Sequence, residues 1–95
     1  MSVRITCINK DNGDHYDPHL GITHLGWKDE STGQTGKATR SGMIEFLESN
    51  GDAYVKDYLG GIAWLVVRVR NGIKYVKTVA DGKETNNLLA LYECA

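Results

Sequence analysis

Arg68 and Arg70 stand two residues apart on one β-rich run, and Tyr75 and Lys77 repeat that spacing on the next, within "AWLVVRVRNGIKYVKTVADG". Residues two apart on an extended chain share a face. Arginine and lysine supply contacts to phosphate or carboxylate, and an aromatic ring offers a flat surface on which a base stacks. With Trp64 at its far end, this set suits a nucleotide-like anion. The competing use of the same cations is to keep an exposed sheet face soluble and to discourage edge pairing. A second polar set follows in "VADGKETNN". Thr78, Asp81 and Asn87 could hydrogen-bond a ligand or a partner backbone. Turn chemistry is the simpler use, with Asp81-Gly82 forming a tight turn and Asn86 and Asn87 capping the terminal segment.

Metal chemistry has one candidate stretch. "DHYDPHLGITH" places Asp14, His15, Asp17, His19 and His24 within eleven residues, and imidazole with carboxylate ligates zinc or another first-row metal. Pro18 between His15 and His19 breaks the regular helix that would put both on one face. Cys7 has no close second cysteine, so a turn held by Asp side chains is the expected reading and no metal is expected. "DNGD" lacks the later bidentate glutamate of a calcium loop.

"STGQTGKATRSG", residues 31–42, resembles a phosphate-binding loop only in composition. Such a loop needs a glycine four residues before its Gly-Lys pair and Ser or Thr after the lysine. Ser31 and Ala38 occupy those two places, so a glycine-rich turn leading into a helix is expected. Nucleophilic catalysis needs a nucleophile beside an oriented base, and neither a Gly-x-Ser-x-Gly elbow nor a matched Cys-His set is present. Glu45 and Glu48 fall on the solvent side of a short helix, and Asp52 and Asp57 are scattered. The expectation is a protein that is not an enzyme and carries no cofactor.

The elements that must position these residues are legible from periodicity. "VRITCIN" alternates Val3, Ile5 and Cys7 against Arg4, Thr6 and Ile8, as a strand does. "ITHLGWK" reads as a second strand in which Gly26 marks a bulge or a close backbone approach. Loops are expected at "KDNGDHYDPHLG" and from Asp29 to Gly36. Met43, Ile44, Phe46 and Leu47 line one side of a helix between Ser41 and Asn50, stopped by Asn50-Gly51. "AYVKDYLGG" gives a further short strand and a turn. Asn71-Gly72 is the preferred dipeptide of a two-residue type I′ hairpin, which sets Arg70 opposite Ile73, Arg68 opposite Tyr75, Val66 opposite Lys77 and Trp64 opposite Val79. The other face, Leu65, Val67, Val69, Lys74, Val76 and Thr78, is the natural one for the helix to cover. "LLALYEC" closes the chain with an element of open type. The expected fold is α+β: a twisted, mainly antiparallel sheet of four to six strands with one packed helix, in a single domain over residues 1–95.

Composition narrows the partners. Eleven Lys and Arg against twelve Asp and Glu give a net charge of -1, so bulk electrostatics does not draw the molecule to nucleic acid or acidic membrane. "IAWLVV" is too short for a membrane span, and "MSVRITCINK" lacks the features of a signal peptide. Cytoplasmic location is the expectation, with Cys7 and Cys94 reduced and acting as small buried apolar side chains. Whether the two meet is left open by the sequence.

At "GITHLGW" and "KYVKTVADGKETNNLLALYEC" the chain resembles a family of small bacterial and phage proteins known as domain of unknown function three-eight-nine-two. The resemblance rests on Lys77-Thr78, Asp81-Gly82, Asn87-Leu88-Leu89 and Cys94. It implies an isolated domain of about this length with a central helix and a late hairpin, and it carries no activity. The family pattern has a proline near its last leucine, where this chain has Leu91-Tyr92.

Together these readings lead to a non-catalytic binding protein that captures a small anionic, nucleotide-like ligand on the face of Trp64, Arg68, Arg70, Tyr75 and Lys77. A bacterial or phage defence signal is an expectation from the resemblance alone. A homo-oligomer would wall in such a ligand, because one open sheet encloses little. The alternatives are a protein-interaction module using the same face or a strand edge, and a metal-dependent hydrolase using His15, His19 and Asp17.

Overall fold

The computed structural model describes residues 2–11, 18–57 and 59–94. The fold is α+β. Seven strands, β1 (Ser2–Lys10), β2 (Ile22–Lys28), β3 (Thr35–Thr39), β4 (Asp52–Lys56), β5 (Ile62–Arg70), β6 (Ile73–Ala80) and β7 (Lys83–Thr85), form one sheet in the order β3-β2-β1-β4-β5-β6-β7. Among the described residues the one α-helix is α1 (Arg40–Glu48), and 3-10 turns occupy Pro18–Gly21 and Asn87–Ala90. No helix among these residues is long and apolar enough to cross a membrane.

Every strand pair is antiparallel except β1 with β4. That exception has a cause in the connection. Parallel neighbours need a long crossover, and β2, β3 and α1 together provide it. The helix starts where Thr39 accepts a hydrogen bond from the Gly42 N–H at 3.1 Å, satisfying one of the orphan donors of the first turn. It stops where Asn50 takes a φ of 72° and the Gly51 N–H returns to the Phe46 carbonyl at 2.9 Å. Met43 and Ile44 are buried, with Phe46 and Leu47 packed beside them. The core beneath is built from Val3, Ile5, Ile8, Ile22, Leu25, Ala53, Val55, Leu65 and Val76 of the strands, with Leu88 from the second 3-10 turn. Each Val, Leu or Ile among them contributes about 1.5 to 3 kcal/mol by leaving water.

The sheet has seven strands rather than four to six because two strands are written in turn-forming residues. Thr35–Thr39 lies in the glycine-rich stretch, so a strand stands between that turn and the helix. Lys83–Thr85 follows Asp81-Gly82, which forms a second tight hairpin with φ values of 53° and 77°.

The even alternation expected in β1 is also corrected. A bulge at Thr6 shifts the register between Ile5 and Cys7, opposite Trp27 and Gly26. Ile8 therefore enters the core with Val3 and Ile5, while Cys7 leaves that face. Such a bulge re-aims side chains by inserting one unpaired residue.

Cys7 and Cys94, whose meeting the sequence leaves open, are joined in a disulfide across a sequence separation of 87, so the expectation of two reduced thiols does not hold in this structure. Gly26 is small for a definite reason: a β-carbon there would collide with the Cys7 sulfur and lie 3.1 Å from that of Cys94. The C-terminal segment reaches the bond by running alongside β1. The Ile8 N–H donates to the Tyr92 carbonyl at 3.0 Å, the Cys94 N–H to the Ile8 carbonyl at 3.1 Å, and the Asn9 amide to the Cys94 carbonyl at 3.1 Å.

Candidate functional site

The β5–β6 hairpin has the expected register, with Arg70, Arg68, Val66 and Trp64 opposite Ile73, Tyr75, Lys77 and Val79. Asn71 and Gly72 take φ values of 51° and 77°, the positive pair that a type I′ turn requires. The Leu65, Val67 and Val76 face packs toward α1, and at its margin Lys74 Nζ meets Glu48 Oε2 at 2.8 Å. The opposite, outer face is left uncovered by the helix.

Strand pairing extends this outer face across the sheet. Val79 sits opposite Glu84, Trp64 opposite Tyr54, and Tyr54 beside Arg4. Arg68 and Lys77 converge on one carboxylate: Arg68 Nε lies 2.9 Å from Glu84 Oε2, and Lys77 Nζ lies 3.2 Å from Glu84 Oε1. The hydrogen bonds from Arg68 and then Lys77 hold the Glu84 carboxyl below its ordinary value of 4.5. Any stability from this trio is therefore present above that ordinary value and is lost as pH falls through the lower folded-state value. The Arg68–Glu84 pair is exposed at both ends and contributes little to folding, so Arg68 is easily turned to another anion.

The ring available on this face is Trp64, which is 46% exposed, whereas Tyr75 is only 7% exposed and cannot serve as an open stacking surface. Tyr54 steadies the indole through an edge-to-face contact, with centroids 5.6 Å apart and planes at 62°. The Tyr54 hydroxyl donates to Glu30 Oε1 at 2.8 Å, and Arg4 Nη1 lies 3.9 Å from Glu30 Oε2. Arg70 projects from the same face beside the hairpin turn.

The Glu30 contact raises the Tyr54 phenol above 10.0 and lowers the Glu30 carboxyl. In a spectrophotometric titration Tyr54 should ionise above the ordinary tyrosine range, and Glu30→Gln should bring it back down. An unchanged Tyr54 midpoint in that variant would show that the hydrogen bond is not formed in solution.

The second polar set is dispersed. Thr78 is 0% exposed on the helix side of the sheet, sharing a 2.8 Å hydrogen bond with the Thr85 hydroxyl, so it is unavailable to a ligand. Asp81 is spent on the turn into β7. The Asn87 N–H donates to Thr85 Oγ1 at 3.4 Å, and Asn86 makes no side-chain cap bond. Capping therefore falls to Thr85 and not to the two asparagines.

The loop before β3 uses its polar groups internally. Asp29 Oδ1 accepts from the Ser31 hydroxyl at 2.6 Å and the Ser31 N–H at 3.0 Å. The Gly33 N–H donates to the Asp29 carbonyl at 2.7 Å, and the Gln34 N–H to Thr32 Oγ1 at 3.2 Å. Those Ser31 bonds also lower the Asp29 carboxyl.

Asp14, His15 and Asp17 lie outside the described residues. His19 is buried in the first 3-10 turn, and His24 stands on β2 with its Nδ1 3.0 Å from Thr23 Oγ1. Among the described residues no three His, Cys, Asp or Glu side chains are grouped to hold a metal ion.

Glu84, Tyr54, Glu30 and Arg4 are the members of the face that sequence reasoning missed. Glu84 was within reach: reading Asp81-Gly82 as a hairpin turn like Asn71-Gly72 places it opposite Val79. Tyr54 is set beside Trp64 by the antiparallel β4–β5 pair, and Arg4 and Glu30 meet it through the parallel β1–β4 pair, which no local pattern announces.

The fold and this face define a small α+β domain with a helix on one side of its sheet and an open, paired-cation surface on the other. The chain belongs to the family described as protein of unknown function (DUF3892), whose model matches residues 4–92. No curated protein and no solved structure matches the chain.

Proposed function

We propose that the domain is a non-catalytic binding protein that captures a small anionic ligand of nucleotide type on the outer face of β5–β7. The observation that carries this reading is the convergence of Arg68 and Lys77 on a single oxyanion, the Glu84 carboxylate. Glu84 then stands in for a ligand phosphate, which brings more charge and more acceptor oxygens to the same two donors. The half-exposed Trp64 indole supplies a stacking surface on the same face. One open face encloses a ligand poorly, so a second copy would complete the site.

The test is thermal unfolding in a panel of nucleotides. Stabilisation by a bound ligand is about 2.7 kcal/mol at a hundredfold excess over Kd. Arg68→Ala should remove the response. Glu84→Gln should tighten binding by roughly tenfold, because it removes a like charge from the phosphate position. Binding that is indifferent to both changes would place the ligand elsewhere.

A protein-docking reading of the same face is favoured by one observation: Ile62, Trp64 and Ile73 are large apolar residues left exposed on it. Arg and Trp are enriched at interfaces. That reading requires no nucleotide response, and loss of a partner's binding in Trp64→Ala.

A further inference from the structure

We infer that a second binding site lies on the far edge of the sheet, where the groove between β3 and α1 accepts an extended peptide as an additional strand. The site goes beyond the outer-face reading and shares none of its residues. Its occupant is a segment of another protein in which large apolar residues alternate with Asp or Glu.

Three features of the edge lead to this. β3 is the terminal strand of the sheet, and among the described residues no strand pairs with its outer side. An open edge presents unpaired backbone N–H and C=O groups, a template for strand addition. The helix-side row of β3 consists of Gly36 and Ala38, opposite Trp27 and Leu25. These are small residues where larger ones would close the gap under α1.

Trp27 lies across Gly36, where a β-carbon would come within 2.5 Å of its ring. The result is an apolar cleft of about 210 Å³ walled by Val3, Trp27, Ala38, Gly42, Met43 and Phe46. An apolar cavity of roughly 150 Å³ already holds a benzene ring, so this one has room for a Leu, Met or Phe side chain.

The other row of β3, Thr35, Lys37 and Thr39, faces the opposite side of the sheet. There Thr35 and Lys37, with Lys28, border an open depression that contains the Cys7–Cys94 bond. Side chains of an added strand alternate between the two sides. Those on the helix side meet the apolar cleft, and those on the other side meet lysines.

The cleft and the lysines therefore ask for the alternating pattern. The β3 strand of a second copy does not meet it. It would offer only Gly36 and Ala38 to the cleft, and centred antiparallel pairing would set Lys37 against Lys37, a destabilising like-charge pair.

Panning a display library of random eight-residue peptides on the intact domain tests the proposal. Recovered peptides should carry large apolar residues at alternate positions with Asp or Glu between them, and their binding should slow hydrogen exchange at β3 amides. Ala38→Phe, which fills the cleft from within, should weaken binding by roughly tenfold or more. Lys37→Glu, a surface change that keeps the fold, should weaken it severalfold, and Arg68→Ala should leave it unaltered. Should Ala38→Phe lower the unfolding midpoint, Lys37→Glu and the β3 exchange pattern decide. The proposal is overturned by recovery of no peptide, by peptides without alternation, by binding that survives both variants, or by a dimer that Ala38→Phe dissociates. Loss of nucleotide binding in Arg68→Ala speaks only to the outer face, so the two readings fail separately.

Discussion

Reducing the Cys7–Cys94 disulfide should lower the unfolding midpoint by about 20 °C. The bond closes a loop with a sequence separation of 87. In the chain-entropy account, a closed loop of that length removes about 4 to 5 kcal/mol of freedom from the unfolded chain. For a domain of 95 residues, each kcal/mol moves the midpoint by about 4 to 8 °C. The paired variant Cys7→Ala/Cys94→Ala should behave like the reduced protein, and calorimetry with and without reductant measures both. A midpoint unchanged by reduction would mean that the cysteines are not bonded in solution. A bonded pair is favoured in an oxidising compartment, whereas cytosolic thiols are normally kept reduced. Counting free thiols in protein isolated without reductant separates the two.

Leu88→Ala should cost about 3 kcal/mol, within the range for truncating a fully buried leucine. Leu88 is 0% exposed, the one fully buried residue of its 3-10 turn, with Leu89 packed partly buried against the same core. Between β7 and the disulfide, it anchors a strap that crosses back to β1 and pairs with Ile8. Denaturant unfolding of the oxidised protein gives the cost directly. Because Leu88 and Cys94 secure the same segment, the combined loss in the reduced Leu88→Ala protein should differ from the sum of the separate losses. A cost below about 1 kcal/mol would show that the strap is loosely packed.

Local signals carried the hairpin and the helix. Asn71-Gly72 set a register that holds from Trp64 to Val79, and the helix read between Ser41 and Asn50 falls within a residue or two of Arg40–Glu48. What local pattern could not express was sequence-distant pairing. β3 is written as Thr-Gly-Lys-Ala-Thr, a strand only because β2 offers it an edge. The parallel contact of β1 with β4 brings Arg4 and Glu30 to Tyr54, which the antiparallel β4–β5 pair sets against Trp64, so four separate stretches meet. The bulge at Thr6 exchanges Cys7 for Ile8 in the core, and Gly26 was its only advance sign. On the outer face the cations were legible from their spacing of two. Their shared carboxylate was not, because it depends on β7 pairing with β6, and nothing in the spacing of Tyr75 marked it as buried.

Amide and side-chain NMR spectra recorded while a nucleoside triphosphate is titrated into the protein test the outer face most directly. The Trp64 indole N–H, the Arg68 Nε–H and the backbone amides of Lys77 and Glu84 should shift together, saturate at one Kd, and saturate at lower concentration in Glu84→Gln. Resonances of that face that stay fixed at millimolar ligand, or a Kd that is the same in Arg68→Ala as in the parent, would contradict the account.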